Sequence, residues 1–144
     1  MSSDGFDAAR ALCKARAMGR CECCQHEGTD AHHREHRGMG GVFGAGAEQS
    51  NTAANLVWLC RRCHSWAHSK LRDARARGLY VPHGARMPAL VPVRLWTAGA
   101  GKGWWLLDDE PIYRYPDNET YLRCDTARSV DWLYDEPDWE VEAA

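Results

Sequence analysis

Apolar positions along this chain fall into short blocks of different period, separated by polar and glycine-rich stretches. The first block, FDAARALCKARAMG, is rich in alanine and closes on Gly19, which predicts a helix from about Asp4 to Met18. TDAHHRE has the length of a short strand, with GVFG as a candidate partner, and NLVWLC is a short apolar segment. RRCHSWAHSKLRDARAR then predicts one helix from Arg61 to Arg77, ended by Gly78. In that helix His64 and His68 lie four residues apart and share a face, so Trp66 and Leu71 must point elsewhere, towards packed interior or a metal.

Beyond the helix the texture changes. GLYVPHGARMPALVPVRLW is punctuated by Pro82, Pro88 and Pro92, and RLW and GWWLLDD read as two strands joined by the glycine turn TAGAGKG. Trp96, Trp104 and Trp105 form an aromatic group on that hairpin, read as a small satellite core in preference to a base-stacking surface. From Asp117 onward apolar residues are sparse and acids frequent, which predicts a loosely ordered tail with a short helix around ARSVDWLYD. No internal repeat is visible.

The 144 residues suffice for one domain of ordinary size. No run approaches the length of a membrane span, and the start MSSDGFDAARALCK has neither an apolar core nor a cleavage pattern, so a cytoplasmic protein is expected. The net charge of -2 hides an asymmetry. Between Arg10 and Arg86 there are 13 basic and 6 acidic residues; from Gly101 to Ala144 there are 4 basic and 12 acidic. Such runs form two differently solvated surfaces, or a basic body that meets a polyanion and an acidic tail that screens it.

Seven cysteines in a cytoplasmic chain point to metal rather than disulfides. Cys21 and Cys24 form one C-x-x-C and Cys60 and Cys63 a second, and two such turns supply four thiolates to one tetrahedral structural zinc. Cys23 lies between two ligands and fits the spacing worse; Cys13 and Cys124 read as small buried residues. The intervening run GMGGVFGAGAEQSNTAAN reads as a loop, and a zinc that closes it brings AHHR towards CHSWAH. On the order of 10 kcal/mol of metal binding is then folding energy.

The ordered set C-x-x-C, HHR, GMGG, NLVWLC, C-x-x-CH and H-x-x-x-H resembles the HNH endonuclease family, and most of all its small zinc-knuckle members common in actinobacteria and their phages. The match spans about Arg20 to Gly78. The resemblance implies an α+β fold: a small zinc-stapled ββα-metal (HNH, or His-Me finger) domain with an N-terminal helix and a C-terminal β-hairpin. The implied division is an N-terminal helix (1–19), a zinc-binding nuclease core (20–78), a β-hairpin appendage (79–116) and an acidic tail (117–144). If the chain is phage-encoded, the cytoplasm is the host's.

Carried over residue by residue, the resemblance makes His33 the general base and His32 a ligand of a catalytic divalent metal, whether magnesium, manganese, nickel or zinc. Asn55 would brace the loop that carries His33, and His64 and His68 would complete the metal site. Elementary chemistry agrees with this division, because adjacent strand residues point to opposite faces and His32 and His33 are not expected to share one role. An ordinary imidazole, with a pKa of about 6.5, accepts a proton from water at neutral pH. Its other nitrogen then needs an acceptor, such as an amide or carbonyl near Asn55. His26, His36 and His83 fit no part of the motif.

Contact with double-stranded DNA is expected from Arg34, Arg37, Arg61, Arg62 and Lys70, continued by Arg72, Arg75 and Arg77, with Arg34 the first choice for a phosphate clamp. The competing classes are a zinc-stapled module that holds DNA or docks on a phage packaging complex without cleaving, and an interaction protein whose acidic tail is the working part.

Overall fold

Residues 5–35, 51–82 and 87–116 are described by the computed structural model. They form a small mixed α+β fold with three helices and two small antiparallel sheets. Helix α1, Phe6–Ala17, turns its small residues inward, burying Ala9, Cys13 and Ala17. It ends where Met18 and Gly19 both take positive φ and donate their N–H groups to Ala15 and Lys14, a left-handed exit that glycine accommodates freely.

Strand β1, Asp30–His33, pairs antiparallel with β2, Leu56–Leu59, in the register Asp30 to Leu59, Ala31 to Trp58, His32 to Val57 and His33 to Leu56. The partner expected from sequence, GVFG, lies outside the described residues; among those described, β1 pairs with NLVWLC instead. All four residues of β2 are buried, which is why its sequence shows no alternation. Leu56 and Trp58 pack with α1, while Val57 and Leu59 enter the main core on the opposite face. Cross-strand partners share a face, so this register assigns Asp30 and His32 to the main-core side and Ala31 and His33 to the α1 side.

The single helix expected from Arg61 to Arg77 is two: α2, Arg61–Ser69, and α3, Leu71–Ala76. Lys70 breaks it with φ -116° and ψ 60°, and the restart carries Ala74 into the core. Leu71, expected inside, is exposed by this break; Trp66 rests half-buried on the core with the Arg77 guanidinium 5.0 Å over its ring. Gly78 then turns with φ +76°, and a Cβ there would lie 2.1 Å from the carbonyl oxygen of Pro92, so no larger residue fits.

The second sheet joins β3, Val93–Thr97, to β4, Gly101–Leu107, through the glycine turn, and adds a short β5, Tyr113–Arg114. Val93, Leu95, Trp105 and Leu107 share one core with Cys21, Cys23, Cys63, Val57 and Leu59. The hairpin is therefore part of the principal core and not an appendage to it. Trp105 is buried there, while Trp96 is half-buried under the Lys102 ammonium 4.5 Å away. The predicted tail and its short helix lie outside the described residues.

One buried ion pair locks these layers. Arg16, 3% exposed, meets Glu22, fully buried, at 2.8 Å. The guanidinium also donates to the carbonyls of Ala53 and Leu56, and the carboxylate accepts from the Trp58 backbone N–H and the Tyr113 hydroxyl. Helix α1, the first cysteine turn, β2 and β5 thus converge on one fully satisfied pair. Among the described residues no helix is long and apolar enough to cross a membrane.

Candidate metal centres

The first cysteine turn is closed by the Cys21 N–H donating to His26 O at 2.7 Å and the Gln25 N–H to Cys21 O at 2.9 Å. Gln25 pins it to the second sheet by donating to Trp96 O at 2.6 Å. The second turn is the start of α2, where Cys60 is the N-cap and its sulfur accepts the Cys63 N–H at 3.4 Å. An equivalent N–H···S contact joins Cys23 to Cys21, also at 3.4 Å. Oriented N–H groups of this kind stabilise sulfur as thiolate.

These two turns bring the sulfurs of Cys21, Cys24, Cys60 and Cys63 within 4.8 Å of one another in a buried cluster, of which Cys60 is the most accessible member. Hydrogen bonds from Cys23 and Cys63 hold the Cys21 thiol far below the ordinary range. The same hydrogen bond to Cys21 drives Cys63 far up, and burial pushes Cys24 up to about 12. Four thiolates this close together need a cation among them. A soft set of four neighbouring sulfurs fits a structural metal ion of the zinc type. Cys23 is buried beside Cys21 and Cys63 outside this foursome, and Cys13 stays a protonated thiol because burial raises its pKa. Cys124 lies outside the described residues.

The second centre is built of imidazoles. His32, 1% exposed, comes from β1, and His64 and His68 from α2, with ring centroids 4.8 to 5.3 Å apart and ligand atoms within 4.8 Å. His32 Nε2 lies 2.7 Å from Leu79 O, an acceptor, so Nε2 carries the proton and Nδ1 the lone pair. His64 Nδ1 lies 2.9 Å from Asp30 Oδ2, and its Nε2 is 3.0 Å from His68 Nε2, a spacing that one ion or one shared proton bridges. Burial and the neighbouring His64 both lower the pKa of His68, favouring its neutral, ligating form. Asp30, His64 and His68 open with Arg61, Ser65 and Ser69 on a cleft of about 690 Å³. Three neighbouring imidazoles, one buried and two lining the cleft, fit a divalent ion that keeps positions for water or substrate.

Asp30 was not among the expected site residues. Burial disfavours its charge, yet hydrogen bonds from His64, Arg61 and Thr29 outweigh that and hold its pKa down at about 2. Its signal in the sequence is the period of two, which sets residue 30 on the face of residue 32.

His33 occupies the other face of β1. Its ring stacks on Phe6 at 5.6 Å, and Nε2 lies 2.8 Å from Asn51 Oδ1, leaving Nδ1 as the lone-pair nitrogen. The amide that holds it is thus Asn51, four residues before the one expected nearby. Asn55 instead clasps the chain just after β1: its Oδ1 accepts the Glu35 N–H at 2.8 Å, and its carbonyl accepts the Arg34 N–H at 2.8 Å.

The expected DNA contacts separate. Arg34 is fully buried, and its guanidinium donates to the carbonyls of Gly78, Ala54, Pro88 and Val91. It is a structural clamp between segments, and the phosphate role expected of it is corrected by that burial. Arg61, whose side chain is 79% exposed, leans on Asp30 at 2.8 Å. Arg62 and Lys70 are exposed along α2 and at the break, and Arg37, His36 and His83 lie outside the described residues.

No family model matches the chain, and no curated protein or solved structure matches it.

Proposed function

We propose that the chain is a metal-dependent endonuclease of the HNH kind, on the ββα-metal plan, that nicks or cleaves duplex DNA by hydrolysing phosphodiester bonds. The observation that carries this reading is the set of three imidazoles gathered from β1 and α2, with His64 and His68 lining an open cleft and His32 buried behind them, beside a separate cluster of four cysteine sulfurs. The order strand, strand, helix, with His32 on the first strand and His64 and His68 on the helix, supports the plan. In this reading Cys21, Cys24, Cys60 and Cys63 hold a structural zinc.

His33 is the general base. Asn51 accepts its Nε2 proton, which leaves Nδ1 to take a proton from the attacking water, and Phe6 fixes the ring plane. Asn55 holds the backbone that follows His33 on β1. His32, His64 and His68 would hold a divalent ion, which supplies Lewis acidity to a phosphate oxygen and the departing 3′ oxygen when bound. Exposed Arg62 and Lys70 meet the backbone phosphates without reading sequence.

The test is purified chain on supercoiled plasmid with magnesium, manganese, nickel or zinc, beside His33→Ala. Metal-dependent relaxation that falls about 10²- to 10⁴-fold in the variant is expected. A folded, zinc-loaded wild type that cleaves with none of these ions would refute the nuclease and leave a DNA-holding module.

A further inference from the structure

A histidine ligates through one nitrogen and must be protonated on the other, so a metal site needs a rule for where each proton sits. For His32 the rule is the carbonyl of Leu79. For His64 it is a side chain. Asp30 and His32 are two residues apart on β1 and share the face that meets α2, and there Asp30 Oδ2 lies 2.9 Å from His64 Nδ1. The carboxylate is itself held: Arg61 Nε donates to Oδ2 at 2.8 Å, Arg61 Nη2 to Oδ1 at 3.3 Å, and the Thr29 hydroxyl to Oδ1 at 2.9 Å. It is also largely covered, in contrast to the exposed Arg61 that brackets it.

We propose that Asp30 is the positioning residue of the histidine centre: it accepts the Nδ1 proton of His64, so that Nε2 is the nitrogen presented to the ion, and Arg61 fixes the carboxylate in that task. In this role Asp30 acts through the His64 ring. The proposal rests on the reading of His32, His64 and His68 as a metal site. It also gives Arg61 a local duty beside the DNA contact expected from sequence.

The test uses the full chain with zinc in its cysteine centre, as wild type, Asp30→Ala and Asp30→Asn. Imidazole ¹⁵N spectra report the His64 tautomer, and calorimetry with cobalt(II) reports the second centre. Wild type should show Nδ1–H on His64. Asp30→Ala should release that proton to Nε2 and weaken cobalt binding about 10- to 100-fold. Asp30→Asn keeps an acceptor oxygen without the charge, so it should retain the tautomer and lose less affinity; it also serves if the alanine variant misfolds. A His64 tautomer unchanged in folded Asp30→Ala, or cobalt affinity unchanged there, overturns the proposal. A wild type that takes up no second ion overturns the metal reading and the ligand half of the proposal with it, while the tautomer still decides the Asp30–His64 half.

Discussion

The four thiols and the three imidazoles are both convergences of distant chain, yet they differ in nearly every physical respect. The sulfurs come from two tight turns, with Cys21, Cys24 and Cys63 inside the principal core beside Val57, Leu59 and Trp105 and Cys60 packed against it. The imidazoles come from a strand and a helix and run from buried His32 to exposed His68, and His64 and His68 border an open cleft of about 690 Å³. A closed soft set serves the fold, and an open nitrogen set leaves room for chemistry. The difference teaches that a ligand set has to be read with its surroundings: in the proposed reading one ion serves the fold and the other the chemistry.

The strongest way to break that contrast is to remove each centre in turn. Cys60→Ser, or zinc removal by a chelator, should cost on the order of 10 kcal/mol, more than a domain of this size has in reserve. Cooperative thermal unfolding and near-ultraviolet circular dichroism should both vanish. His68→Ala, at an exposed position, should change stability by no more than about 0.5 kcal/mol while lowering uptake of the second ion. Equal losses of stability from the two variants would erase the distinction drawn here.

Three arginines sharpen it further. Arg16→Met strands the buried carboxylate of Glu22 and should cost about 3–5 kcal/mol in urea denaturation. Arg34→Ala orphans several buried carbonyls at about 1–3 kcal/mol each, not additively, so a loss of at least about 2 kcal/mol is expected. Arg62→Ala should leave the denaturation midpoint in place. Its effect should be a DNA affinity lowered across all sequences, with a log–log salt slope shallower by about 1. Arg34→Ala with wild-type stability and weakened DNA binding would reverse the assignment.

These contrasts also mark what was legible beforehand. The cysteine turns and the His64–His68 pair were readable because both are local spacings of three or four residues. Meeting His32 requires the β1–β2 register, which depends on β2 being buried on both faces, and a run such as LVWL gives no alternation from which to infer that. The break at Lys70 carries no glycine or proline, so helix-forming residues on both sides hid it. Arginine beside a site reads as a phosphate binder, and only four backbone carbonyls gathered from residues 54 to 91 reveal Arg34 as interior. Asp30 and Asn51 were missed for the complementary reason: each acts through another residue, and sequence motifs record ligands more readily than what orients them.

The smallest expected effect concerns charge at the C-terminal end of the sequence. Residues 117–144 carry nine acidic and two basic side chains, opposite in sign to the body that presents Arg62, Lys70, Arg72 and Arg75. If that charge competes with phosphate for the basic surface, deleting residues 117–144 should tighten nonspecific duplex binding at about 20 mM salt. The gain should shrink at physiological ionic strength, where the Debye length falls to about 8 Å. Metal content and unfolding should not change, since both ligand sets found among the described residues lie between Cys21 and His68. Binding that is unchanged or weaker at low salt would discard the screening idea, and a loss of zinc would mean that the tail contributes to the closed centre after all.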